Sequence, residues 1–152
     1  MVHMPPKKPA YASDMSDREW ALLHRRPVGR IPDDARARLV NRLTVFAGGL
    51  KFHKHVREVT VTFRGGYAYV GGWQKEPPQH VVDSYKGTPY RGAWETEWKL
   101  CRLGWLGDDD RWLFHFWKYS DEKYEPSFLP SGACDGTPEE AFDCAGTVYF
   151  LT

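Results

Sequence analysis

The spacing of apolar residues changes from a helical to a strand-like period partway along the chain, and this change most constrains the fold. Leu39 and Leu43 belong to a series that recurs every three or four residues, as on one face of a helix. Further on, Val59, Val61 and Phe63 alternate with polar residues, as in a half-buried strand. Helices that precede strands without alternating with them predict an α+β fold.

Three helices are predicted from their ends. Ser16 and Glu19 form a capping box that begins the first helix, which ends before Pro27. The second follows Pro32 and runs to about Ala47, where two glycines end it. The third begins after Thr137, with proline at its first position and glutamate at its third, and closes the chain.

Between the second and third helices, the pattern predicts an antiparallel meander of about five strands. Gly65-Gly66 is a two-residue hairpin turn. The segment 111–119 is apolar on both faces, which is typical of a central strand covered on both sides. We expect no regular structure over residues 75–94. The other strands are predicted over residues 67–73, 96–103, with a bulge at Gly104, and 124–129.

The chain has 152 residues, a length typical of one domain. We predict a disordered tail over residues 1–12 and a single α+β domain over residues 13–152. No apolar run approaches the length of a membrane span. Cys101, Cys134 and Cys144 form no CxxC motif, so we expect reduced thiols in a cytoplasmic protein. No cofactor-binding motif is present, and we expect no cofactor.

Charge is distributed unevenly, although the net charge is only +1. Residues 1–60 hold twelve Lys and Arg against six Asp and Glu, whereas residues 111–152 hold three against seven. A basic face of this kind, with aromatic residues on a sheet, favours binding of single-stranded nucleic acid. Alternatively, the basic and acidic ends pair with each other. The candidate nucleic-acid-binding residues are Arg36, Arg38, Arg42, Lys51, Lys54, Arg57 and Arg64.

Histidines suggest a second function. His53 and His55 lie two residues apart, so on a strand both imidazoles face the same side and can ligate one metal ion. With a carboxylate they would form a small metal-dependent hydrolase or nuclease. The alternative is a solvated strand entrance. His115 lies between two phenylalanines, as a core histidine or as a base. The sequence leaves open whether the protein is an enzyme, and it identifies no catalytic residue.

A third hypothesis is a structural homo-oligomer. If the helices cover only one face of segment 111–119, its second apolar face would favour a homodimer.

Two segments near the C-terminus carry a resemblance. The sequence YSDEKYEP at 119–126, followed by GTPEEAF at 136–142, resembles the C-terminal part of a group of uncharacterised bacterial proteins. The resemblance covers about a quarter of the chain. It implies a bacterial, cytosolic setting and brings no activity, substrate or catalytic residue with it.

Overall fold

The architecture is that of a computed structural model, which describes residues 3–49, 56–88 and 94–150. Five strands lie side by side in chain order, each antiparallel to the next, so the predicted α+β meander with a C-terminal helix is confirmed. The strands are β1 (Val56–Arg64), β2 (Tyr67–Gln74), β3 (Trp98–Asp108), β4 (Arg111–Lys118) and β5 (Lys123–Pro126), and the short β6 (Asp135–Gly136) pairs with β4. The helices are α1 (Asp17–Leu23), α2 (Asp33–Gly49), α3 (Gln79–Ser84) and α4 (Pro138–Tyr149).

Side-chain caps begin α1 and α4 where the sequence predicts them. The Ser16 hydroxyl accepts a hydrogen bond from the Glu19 amide at 3.1 Å. Thr137 accepts from the Glu140 amide, and the Glu140 carboxylate accepts in return from the Thr137 amide. These bonds satisfy amide groups that a helix N-terminus otherwise leaves without partners.

The turn between β1 and β2 has the predicted two residues. Gly65 has a φ of +59°, which the first position of a type II′ hairpin turn requires. Gly66 is restricted by packing instead, because a Cβ there would lie 2.5 Å from the Pro27 side chain.

The main core lies between one face of the sheet and the helices α2 and α4. Leu39 and Leu43 of α2 and Phe142 of α4 are buried there. The strands contribute the alternating residues that the period of two predicts, including Val70, Leu103, Trp112 and Phe114.

Segments with weak local signals differ from the prediction. The strand β3 passes through Gly104 in regular register, without a bulge at that residue; the glycine is needed because Leu113 of β4 lies against it. The strand β5 ends at Pro126, three residues earlier than predicted. The helix α3 lies within the segment expected to be irregular, and β6 was not predicted.

Residues 3–12 make defined contacts, whereas their composition favours a disordered tail. The Trp20 indole donates to the Pro6 carbonyl, and Lys8 donates to the Met15 carbonyl at 2.7 Å. Ala12 is buried beside Trp20 and Leu23 in a second, smaller core. A proline-rich segment can therefore be ordered here because α1 supplies its partners.

The segment containing α1 covers one end of the other face of the sheet. Trp20 and Leu23 line a cavity together with Pro126, the β5 partner of His115. After α1, the chain passes Gly66 and Trp105 before it enters α2 on the opposite face. Leu113 and His115 are consequently buried, so the prediction that β4 is covered on both sides is confirmed.

Candidate functional site

Tyrosines, a tryptophan and cations gather on the face of the sheet that is turned away from α2 and α4. The register of the strands brings them together, because paired residues share a face and residues two apart return to it. The rings are in contact: Tyr69 and Tyr124 have centroids 5.3 Å apart, and Trp117 and Tyr124 have centroids 4.7 Å apart. We call this surface the aromatic face; it comprises Tyr67, Tyr69, Lys99, Arg102, Trp117 and Tyr124.

Arg102 lies at the centre of the aromatic face. Its guanidinium carbon is 4.0 Å from the ring centroid of Tyr67 and 5.4 Å from that of Tyr124. The Arg102 Nε–H donates to His115 Nδ1 at 2.9 Å. No carboxylate among the described residues forms an ion pair with this half-buried cation. Two aromatic rings and one imidazole thus fix the guanidinium while its terminal nitrogens stay available.

His115 supports Arg102 as a neutral acceptor. Burial lowers the pKa of His115 to about 3, and the charges of Arg102 and His24 act in the same direction. Because Nδ1 accepts from Arg102, the proton of the neutral ring must be on Nε2. That Nε2 is buried and has no hydrogen-bond partner in the described structure. Of the two interpretations of His115, the core histidine fits this environment.

The other end of the aromatic face is built around Trp117. The Lys99 ammonium lies 4.3 Å from the ring centroid of Trp117, in a cation–π contact. The Trp117 indole N–H is buried and unpartnered within the described residues. A cavity of about 110 Å³ also lies on this side of the sheet and is lined by Thr60, Thr62, Tyr69, Val70, Gly71, Glu97, Lys99 and Tyr124.

The candidate arginines of α2 have partners within the chain. Arg38 pairs with Asp34 and Asp109. Arg42 makes a two-pronged ion pair with Glu139, both bonds at 2.8 Å, and also contacts Asp110. The pKa of Arg42 is raised, mainly by its hydrogen bond to Glu139. At Arg42 the alternative interpretation, in which basic and acidic ends pair, describes what is observed, because Glu139 belongs to the acidic end. The partners of Arg38 lie outside that end.

The remaining candidates are spread over the molecule. Arg36 lies over the Phe63 ring and Arg57 over the Trp73 ring. Arg64 is exposed in β1, opposite Tyr67, and therefore borders the aromatic face. Lys51, Lys54 and the proposed metal ligands His53 and His55 lie outside the described residues.

The described residues give no additional evidence for a metal-binding site. Within 3–49, 56–88 and 94–150, no three His, Cys, Asp or Glu side chains come close enough to hold a metal ion. The three cysteines are free thiols, as expected. None of the described helices has the length and apolar character needed to cross a bilayer.

Sequence reasoning missed most of the aromatic face. Tyr67 and Tyr69 are two apart on a predicted strand, so their shared side was available from the period alone. Arg102 interrupts the apolar run from Leu100 to Leu106, which is a signal for a specific role. Their proximity to Tyr124 depends on the register between strands, which the sequence does not specify.

Comparisons of the chain with models of protein families, with curated proteins and with solved structures gave no match.

Proposed function

We propose that this protein is a binding module for single-stranded nucleic acid and that the aromatic face is its binding surface. The proposal requires a cation for phosphate, ring faces for bases and a surface that is not occupied by another part of the chain. Cations and ring faces lie together on the same side of the sheet, between β1 and β5, and Arg102 and the three tyrosines there are partly exposed.

The main observation in support of the proposal is the environment of Arg102. A half-buried charge loses hydration, and that loss is normally offset by a carboxylate partner. Arg102 instead contacts two tyrosine rings and a neutral imidazole, so its charge stays uncompensated among the described residues. Since arginine recognises phosphate through a planar, two-pronged set of donors, a phosphodiester is a suitable ligand.

The surrounding residues support a polymer with bases over a simple anion. Tyr67, Tyr69 and Tyr124 are half-buried, and none of their hydroxyls hydrogen-bonds to another described residue. Base stacking on aromatic side chains contributes about 1–3 kcal/mol per base. Arg64 and Lys99 add cations at two edges of the face.

This proposal moves the binding surface away from α2. Arg38 and Arg42 already contact carboxylates, so contact with phosphate would require breaking those pairs. A binding surface of this kind is also compatible with a net charge near zero, because affinity then depends on a few positioned side chains more than on the total charge of the protein.

Fluorescence anisotropy with a labelled oligothymidine of about 12 nucleotides tests the proposal. Arg102→Ala should weaken binding about tenfold or more and reduce the slope of log affinity against log salt by about 0.7, the value for one lost phosphate contact on a single strand. Tyr69→Ala should also weaken binding, whereas Tyr69→Phe, which keeps the ring, should bind like the parent.

Arg38→Ala is the matched control, because it removes one arginine that is already neutralised by two aspartates. It should leave affinity unchanged. Circular dichroism of each variant establishes that the fold is kept. The proposal fails if the parent does not bind at low salt, or if Arg38→Ala weakens binding as much as Arg102→Ala.

A further inference from the structure

The two edges of the sheet differ in length and composition among the described residues. The edge strand β5 has four residues, ends in a proline and lies beside the segment that contains α1. The opposite edge strand β1 has nine residues, contains neither proline nor glycine, and pairs with no described strand on its outer side. Short length, proline, cover, charged side chains and bulges are the usual means of protecting an edge from pairing with another chain. The strand β1 has an irregularity between Val56 and Glu58, but from Glu58 to Arg64 its register with β2 is regular, and no described strand pairs with its outer edge.

The peptide groups of three apolar residues point outward from β1. A two-residue hairpin turn is flanked by a hydrogen-bonded pair of residues, here Arg64 and Tyr67. Hydrogen-bonded pairs alternate along an antiparallel strand, so Arg64 and every second residue before it direct their backbone N–H and C=O groups toward β2. Val59, Val61 and Phe63 therefore direct theirs to the free edge. Their side chains pack on the core and are half-buried.

We infer that β1 pairs antiparallel with β1 of a second copy of this chain, with Val61 on the twofold axis. In this register Val61 faces Val61 of the other copy, and Val59 faces Phe63 on both sides of the axis. The Val61 pair and the two Val59–Phe63 pairs are hydrogen-bonded pairs, so the outward backbone N–H and C=O groups of these residues gain hydrogen-bond partners in the other copy. The two five-stranded meanders then form one continuous sheet.

Charge complementarity selects this register. With Val61 on the axis, Glu58 of each copy lies opposite Arg64 of the other, and Thr60 lies opposite Thr62. Glu58 and Arg64 are both exposed, and neither forms an ion pair with a described residue. Opposite charges across neighbouring strands are favourable and like charges are unfavourable. Each dimer contains two such pairs. A shift of the register by two residues separates both of them.

This dimer does not need the proposed ligand in order to form. It lies at the edge of the sheet and leaves Arg102, Lys99 and the tyrosine rings of each copy uncovered, but it pairs Arg64, which borders the aromatic face, with Glu58 of the other copy. It also differs from the expectation that the second face of β4 is the interface, because Leu113 and His115 on that face are buried within one chain.

Sedimentation equilibrium of the full chain, in low salt and without nucleic acid, tests the inference. The parent should show a concentration-dependent dimer. Glu58→Arg or Arg64→Glu alone places like charges opposite each other twice and should weaken dimerisation about tenfold. The double variant Glu58→Arg/Arg64→Glu restores opposite charges and should dimerise like the parent. Arg26→Glu, an exposed change away from β1, is the charge-matched control and should have no effect.

A cross-linking experiment tests the register itself. Residues in a pair without hydrogen bonds have Cα atoms about 4.5 Å apart, which permits a disulfide. A mixture of the Thr60→Cys and Thr62→Cys variants should therefore form disulfide-linked dimers under mild oxidation, and either variant alone should not. A parent that stays monomeric at high micromolar concentration overturns the inference. A dimer that ignores the single charge reversals, or equal cross-linking by either variant alone, does the same.

Discussion

The two faces of the sheet are built from the same strands but differ in how their side chains are used. On the side of α2 and α4, apolar residues such as Leu43, Leu103 and Phe142 are fully buried. On the aromatic face, Arg102 and the three tyrosine rings are half-buried, and two buried ring nitrogens, those of His115 and Trp117, lack partners in the described structure. The face covered by α2 and α4 is built as stability requires. The aromatic face contains polar groups that packing alone does not explain.

The comparison shows which residues of the chain to examine for a function. Apolar burial contributes to stability in proportion to the area removed from water. A half-buried cation that forms no ion pair with a described residue, such as Arg102, adds no apolar burial of that kind and loses part of its hydration. Features that reduce stability and occupy a single surface are therefore candidates for recognition.

The largest effect is expected on the face covered by helices. Phe142 is fully buried and meets Phe46 edge to face at a centroid distance of 6.1 Å. Phe142→Ala should reduce the free energy of unfolding by about 3–5 kcal/mol, because it removes packing and leaves a cavity. Urea denaturation measures this loss. Val148→Ala on the exposed side of the same helix should have little effect, and equal losses for the two would contradict the description of α4 as a packed helix.

On the aromatic face, lowering the pH should reduce the free energy of unfolding by an intermediate amount. The unfolded chain protonates His115 near its ordinary pKa of 6.5, whereas the folded chain keeps it neutral down to about 3. Below pH 6.5 the unfolded state therefore binds more protons, and stability falls as pH falls. Between pH 6.5 and about pH 4.5 this residue should cost about 2–3 kcal/mol.

Two variants separate His115 from other titrating groups. Burial also lowers the pKa of His24, so that histidine adds to the same trend. The carboxylates with resolved shifts, Asp34, Asp83 and Asp135, all have lowered pKa values and titrate below this window. His115→Gln keeps an acceptor for Arg102 and should remove most of the pH dependence, while His24→Gln should remove less. A pH dependence that His115→Gln leaves intact would show that this histidine is not buried as a neutral ring.

The smallest effect is expected where α2 meets the loops through charge. Arg42 contacts Glu139 with two hydrogen bonds, and both side chains are 27% exposed. Arg42→Ala should cost about 1–2 kcal/mol, since a partly buried, charge-assisted pair is lost. Arg42→Lys keeps the charge without the two-pronged geometry and should lose part of this stability. Arg30→Ala, which removes an exposed pair, should change the melting temperature very little.

Features of the site that depend on residues close in sequence could be predicted. Features that depend on contacts between residues distant in sequence could not. Periodicity places Tyr67 and Tyr69 on one side of a strand. It does not reveal that Arg102 lies between Tyr67 and Tyr124, because that contact depends on the pairing of β2, β3, β4 and β5. Similarly, the basic run of α2 is visible in the sequence, whereas the neutralisation of Arg42 by Glu139 joins residues 97 positions apart.

The sequence by itself determined the order and type of the main elements. Helix caps, the hairpin glycines and the change of period act through neighbouring backbone groups, so residues a few positions apart carry the information. Only the tertiary structure decided which arginines are already paired, that α1 covers one end of the second face, and which edge of the sheet stays open. These depend on how layers and strands meet, and the Coulomb and packing energies concerned arise only between groups brought together from distant parts of the chain.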